Sequence, residues 1–263
     1  MDHHNETPLS EKIRVCTEKF RPETREVWER YEPDEYWYGE LLLHTHRSLT
    51  DKTDVPISAA AGVELFRAYG LTRERPPEVH PDNAAGCDSA TLLAGDQFLS
   101  TSFAQISGED GEAETPQQAI AVASRATRTL CAELALNGSL EAVGSEGSGD
   151  LPSAVTGSVT GQLAVDLART LCGKENEADA GALTEAGSSV GTAVSQLGHD
   201  LPDGQVILDT DDSKHPIYKR FETPVREQAE TARQEFGCAY GTVPPSLAAY
   251  FNELLKEADT RSD

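Results

Sequence analysis

The sequence predicts an all-α protein, and three observations carry that prediction. Apolar residues recur at helical spacing in almost every patterned segment, no series of segments alternates with the two-residue period of strands, and no fixed-period repeat or coiled-coil heptad is present. With 263 residues the chain suffices for one large domain, taken as 1–263, with a flexible segment over 1–20 and a short tail over 259–263 allowed for at its ends.

The elements follow in order. Residues 22–47 set Trp28, Tyr31, Leu41, Leu42 and Leu43 among charges, and ISAAAGVELFRAYGL (57–71) puts Val63, Phe66 and Leu71 near one stripe, so each reads as a helix. LLAGDQFLSTSF (92–103) reads as a third, with Leu92, Leu99, Phe103 and Ile106 on its buried side. Gly95 and Asp96 interrupt it. A glycine costs a helix interior about 1 kcal/mol relative to alanine, and an aspartate beside an apolar stripe needs polar partners or water, so something local requires both.

Thr115-Pro116-Gln117-Gln118 has the form of a helix start, with Thr at the cap, Pro in the first turn and Gln three residues after the cap. The alanine-rich helix it opens is expected to stop near Asn137-Gly138. GSEGSGD (144–150) is a break, and further helices are expected over about 152–172, 179–200, 216–236 and 244–259.

Lys and Arg number 22 against 45 Asp and Glu, a formal net charge of −23, and 15 of the bases are Arg. No run of bases exceeds two residues, so a phosphate backbone would be repelled and nucleic acid is excluded as a partner. A surface rich in carboxylates and poor in lysine stays hydrated in concentrated salt, which points to a salt-adapted cytoplasm. Five cysteines are scattered without a CxxC pair, which reads as small buried hydrophobes, and the seven histidines form no HExxH. No N-terminal apolar run resembles a signal peptide and no window holds 18 uninterrupted apolar residues, so a soluble cytoplasmic protein without a transmembrane segment is expected.

Two clusters carry possible chemistry. In QLGHDLPD (196–203), His199, Asp200 and Asp203 share roughly one helical face at spacings of three and four, a geometry that suits an oxygen-ligated divalent cation such as Mg2+. A solvated acidic helix end is the plainer alternative in so acidic a protein. In LTRERPPEVH, Arg73 and Arg75 beside a prolyl turn suit bidentate contacts to phosphate, against surface pairing with Glu74 or Glu78.

Taken in order, AAAGVELFRAYGL, RERPPEVH, LLAGDQFLSTSF and QLGHDLPD resemble the motifs of the trans-isoprenyl diphosphate synthases, the polyprenyl synthetase family: an AxxELxHxxxLxHDDxxD helix, an arginine-containing turn ending in PTxH, LAGDxLLxxAF, and QxxDDxxD. The resemblance spans roughly 35–205, with a weaker match in the last two helices. It implies a single helical bundle of the isoprenoid (terpenoid) synthase type, a Mg2+-dependent prenyltransferase ancestry and dimerisation through helices. It also implies a diphosphate role for Arg73 and Arg75, close helix packing at Gly95, and a structural polar contact for Asp96 at the mouth of the cleft.

The departures are as informative. Where the first DDxxD would stand, the chain runs from Leu71-Thr72 into Arg73-Glu74-Arg75; in the second motif His199 replaces an aspartate and Pro202 intrudes. WYGELLLH (37–44) stands for GGKRxRP without a basic residue, Val159 replaces the lysine of KT, and Ser139 replaces the glutamine of GQxxD. In the family's mechanism, metal on two facing aspartate clusters stabilises the leaving diphosphate. Three readings result. One is a catalytically inactive homologue acting as partner or regulatory subunit, as homodimer or as heterodimer with a catalytic paralogue. The second is an isoprenoid-diphosphate enzyme with an atypical metal site built on Asp200, Asp203, Arg73 and Arg75. The third is an unrelated helical protein.

Overall fold

A computed structural model describes residues 7–50, 55–74, 89–108, 116–141, 151–173, 180–197 and 225–261. These form ten helices and no strand: α1 (Pro8–Thr17), α2 (Pro22–Tyr31), α3 (Trp37–Leu49), α4 (Ile57–Glu74), α5 (Ser89–Ser107), α6 (Pro116–Glu141), α7 (Leu151–Leu171), α8 (Ala180–Leu197), α9 (Val225–Tyr240) and α10 (Pro245–Arg261).

The expected helix over 22–47 is two helices. Pro33 explains the break, because the residue before a proline is driven out of the helical region, and Glu32 is extended at φ −65° and ψ 122°. Within the segment 1–20, allowed for as flexible, residues 1–6 lie outside the described residues, and Pro8–Thr17 form α1. Thr7 caps it by accepting the Ser10 N–H at 3.2 Å, Pro8 opens it, and Leu9, Ile13 and Cys16 bury in the core. At the other end α10 runs on to Arg261 and buries Ala258. Helix α6 likewise continues past Asn137-Gly138 to Glu141, since one glycine costs only about 1 kcal/mol within an established helix.

Helix α4 lies at the centre, with every residue from Ser58 to Thr72 buried. Apart from Glu64 and Arg67 this stretch is apolar or small-sided and offers no solvent face, and α4 touches α1, α2, α3, α5, α6 and α7. Its partner at the centre is α7, which packs most extensively on α8; α9 then covers α8, and α10 packs on α3 and α9.

Glycines set the closest approaches. Across α7 and α8, a Cβ on Gly187 would lie 2.6 Å from the Gly161 carbonyl oxygen, and one on Gly157 would lie 2.5 Å from that of Gly191. The two backbones therefore meet directly, which only residues without a side chain allow. Tyr38 of α3 reaches this seam and donates its phenol to the Gly191 carbonyl at 3.1 Å.

Candidate functional site at the carboxyl end of α4

The contact between α4 and α5 accounts for the Gly-Asp pair. The buried side of α5 is Thr91, Ala94, Gly95, Phe98, Ser102 and Ile106, rotated from the expected Leu92, Leu99, Phe103 and Ile106, of which only Ile106 is fully buried. The rotation brings Gly95 and Ser102 against α4 and Phe98 against Phe20 and Trp28. Ser102 donates to the Gly62 carbonyl at 2.7 Å, and a Cβ on Gly95 would collide with the Thr72 hydroxyl, which donates to the Tyr69 carbonyl at 2.7 Å.

One residue on, Asp96 turns outward and forms an ion pair with Arg73 from the last turn of α4. The Arg73 side chain is 24% exposed and that of Asp96 65%. The guanidinium also lies 5.1 Å from the centre of the Tyr69 ring and 3.4 Å from the Leu92 carbonyl oxygen, so its charge is shared among a carboxylate, a π face and a backbone dipole. Burial, followed by a sulfur contact to Cys131 at 3.7 Å, raises the pKa of the Tyr69 phenol.

Glu74, the last residue of α4, turns inward. It is buried and accepts the backbone N–H of Thr156 on α7 at 3.0 Å. Nearby on α7, Val159 is 4% exposed and Thr160 is fully buried, its hydroxyl spent on the Thr156 carbonyl at 2.7 Å. The described face of α7 nearest the end of α4 thus presents an apolar residue, the Thr160 hydroxyl spent within its own helix, and the buried Thr156 hydroxyl, which finds no hydrogen-bond partner among the described residues. At the head of α3, Tyr38 and Gly39 are buried and Glu40 is the ionisable residue.

Of the residues expected to carry chemistry, Arg73 and Asp96 come together. Arg75, His199, Asp200, Asp203 and Cys87 lie outside the described residues, as does the side chain of Ser139. Cys16 and Cys172 are buried, as expected of small hydrophobes, whereas Cys131 and Cys238 are exposed. Among the described residues no three His, Cys, Asp or Glu side chains gather as metal ligands would, and the one described aspartate at this end, Asp96, is occupied by Arg73.

Two buried polar residues further back along α4 escaped the sequence reading: Glu64, which is completely buried, and Arg67 one turn on, 7% exposed. The signal was available. Opposite charges at i and i+3 inside a run that leaves no solvent face must pair with each other and with backbone.

A crystal structure described as a "putative farnesyl-diphosphate synthase" from Marinomonas sp. MED121 superposes with a TM-score of 0.58 at 13% identity, covering 94% of each chain. A geranylgeranyl pyrophosphate synthetase from the archaeon Geoglobus acetivorans superposes with a TM-score of 0.54 at 18% identity, covering 96% of this chain and 97% of its own. The fold is that of the prenyl diphosphate synthases. No protein-family model matches the sequence, and no curated protein does. At these identities the likeness fixes the isoprenoid synthase fold and leaves the chemistry to the side chains. Among the described residues no helix is long and apolar enough to cross a membrane.

Proposed function

We propose that this protein is a catalytically inactive relative of the prenyl diphosphate synthases that serves isoprenoid biosynthesis as a partner or regulatory subunit. One observation carries the reading: at the end of α4, where that fold would need carboxylates open to metal, Arg73 is paired to Asp96 and Glu74 is committed to the Thr156 backbone. A cation in that position opposes a second cation, and a buried carboxylate already accepting an N–H is poorly placed to ligate one.

The partner surface is proposed on α5 and α6. Three of the four exposed large hydrophobics among the described residues lie there: Leu93 at 67%, Ile120 at 38% and Leu136 at 54%. A symmetric helical interface centred on them would bury well over about 1,000 Å² and survive high salt, because apolar burial is not screened as exposed ion pairs are. The surrounding excess of 45 acidic over 22 basic residues fits a salt-rich cytoplasm, which we include in the proposal.

The second reading, an enzyme acting on isoprenoid diphosphates through an atypical metal site, has one observation in its favour. Arg73 is partly exposed and its partner Asp96 is mostly so, which leaves a guanidinium that a diphosphate could take over. Arg75 would join it, and His199, Asp200 and Asp203 would hold Mg2+.

Light scattering at high salt, with and without an active prenyl synthase, separates the two. A heterodimer formed on mixing supports the partner role, whereas a homodimer that persists unchanged beside the synthase is expected of an active enzyme as well. A strictly monomeric species that ignores the synthase removes the partner role and leaves the atypical enzyme in front.

A further inference from the structure

In a chain with 45 acidic residues, the segments 89–107 and 116–136 of α5 and α6 hold only two, Asp96 and Glu133, balanced by two arginines, Arg125 and Arg128. Asp96 is held by Arg73, and Glu133 is partly buried. Arg125 and Arg128 are both exposed and have no ion-pair partner among the described residues, whereas Arg14, Arg30, Arg73, Arg169 and Arg226 each sit against a carboxylate. Three residues apart, the two guanidinium groups share one outer face of α6. The other fully exposed positions of that face are Gln, Ala, Thr and Cys, with Ile120 and Leu136 at its margins.

We propose that this face receives a different protein and not a second copy of this chain: a protein whose facing helix carries two carboxylates one turn apart. The inference rests on the partner role proposed above and names what the partner must bring. Charge decides between the two occupants. In a two-fold pairing through α6 the helices run antiparallel, so Arg125 of each copy meets Arg128 of the other and four guanidinium groups converge. Among the described residues, α5 and α6 offer no exposed, uncommitted carboxylate to neutralise them. Like charges brought together in a desolvated contact oppose association, whereas carboxylates in the same places form charge-assisted pairs with both arginines. Pairs buried in a contact are screened far less than exposed ones, so concentrated salt leaves them in place. Because charges cancel over the two segments, the rest of the chain carries the whole formal charge of −23 and repels an acidic partner, which confines the contact to this face.

Sedimentation equilibrium at high salt tests this with the full chain, the double variant Arg125→Glu/Arg128→Glu, and Arg233→Glu, which reverses an exposed charge on α9. The native chain alone should be monomeric. With an active prenyl synthase it should form a heterodimer, weakened by about tenfold or more in the double variant and unchanged in Arg233→Glu. A double variant that binds the synthase as tightly as the native chain, or a native chain that pairs with itself as tightly as with the synthase, would overturn the proposal and leave an association of other origin. A native chain that ignores the synthase removes the partner role, and a second mixture then judges the face. Mixed with the native chain, the double variant sets two carboxylates against Arg125 and Arg128, and the pair should associate where neither protein does alone; no association there would overturn the proposal as well.

Discussion

Replacing Gly191 by alanine tests the packing that the fold depends on most. A Cβ there would sit inside the contact distance of the Gly157 carbonyl oxygen and 2.8 Å from its carbon, at least 0.6 Å short of the 3.4 Å at which ordinary contact begins. Neither obstacle is a flexible side-chain end, so α7 and α8 must separate. A radial gap of about 0.5–1 Å forfeits a quarter to a half of each dispersion well, and a few dozen atom contacts at about 0.1–0.2 kcal/mol each put the loss at roughly 2–3 kcal/mol. Alanine returns about 1 kcal/mol of helix propensity, which leaves a net destabilisation of about 1–2 kcal/mol. Gly237 on α9 is the control. Its added Cβ would meet only Val243 Cγ2, at 3.4 Å, so Gly237→Ala should be neutral or stabilise by up to about 1 kcal/mol. Urea unfolding followed by far-ultraviolet circular dichroism in high salt measures both. Equal effects of the two substitutions, or a Gly191→Ala protein as stable as the native one, would refute the direct backbone contact.

Two further substitutions address the end of α4. Asp96→Ala should lower stability by less than about 1 kcal/mol, since its carboxylate is 65% exposed and solvent competes for Arg73; a larger loss in urea unfolding would mean the pair is more than a surface bridge. Glu74→Ala should cost about 1.5–3 kcal/mol by removing a charged acceptor from the Thr156 N–H, while Glu74→Gln recovers most of it; equal losses would show that the charge, and not the hydrogen bond, matters.

The fold class was legible because helical periodicity is a local property, and among the described residues every long patterned segment holds helix. Boundaries failed where a single residue overrode the pattern: Pro33 split 22–47, and the apolar positions of α1 were too few to stand out until α4 supplied their partner. The buried stripe of α5 was misplaced because it is set by its neighbours: Gly95 and Ser102 approach α4, and Phe98 packs against Phe20 and Trp28. At the site, the pairing of Arg73 with Asp96 joins residues 23 apart in sequence and needs the helix crossing at Gly95 to be known. The inward turn of Glu74 has no sequence signature at all. A glutamate at a helix end in an acidic chain reads as solvated, and only the approach of α7 buries it.

The central claim is that this bundle has kept the prenyl synthase fold without the chemistry. It is tested most directly by incubating the isolated protein at high salt with Mg2+, isopentenyl diphosphate and, in turn, dimethylallyl, geranyl and farnesyl diphosphate, and following product release. Loss of metal stabilisation of the leaving diphosphate removes several kcal/mol from the transition state, which is several powers of ten in rate, so no condensation above background is expected. Turnover on the order of 1 per second, abolished by Asp200→Ala, would contradict the account and establish the atypical enzyme in its place.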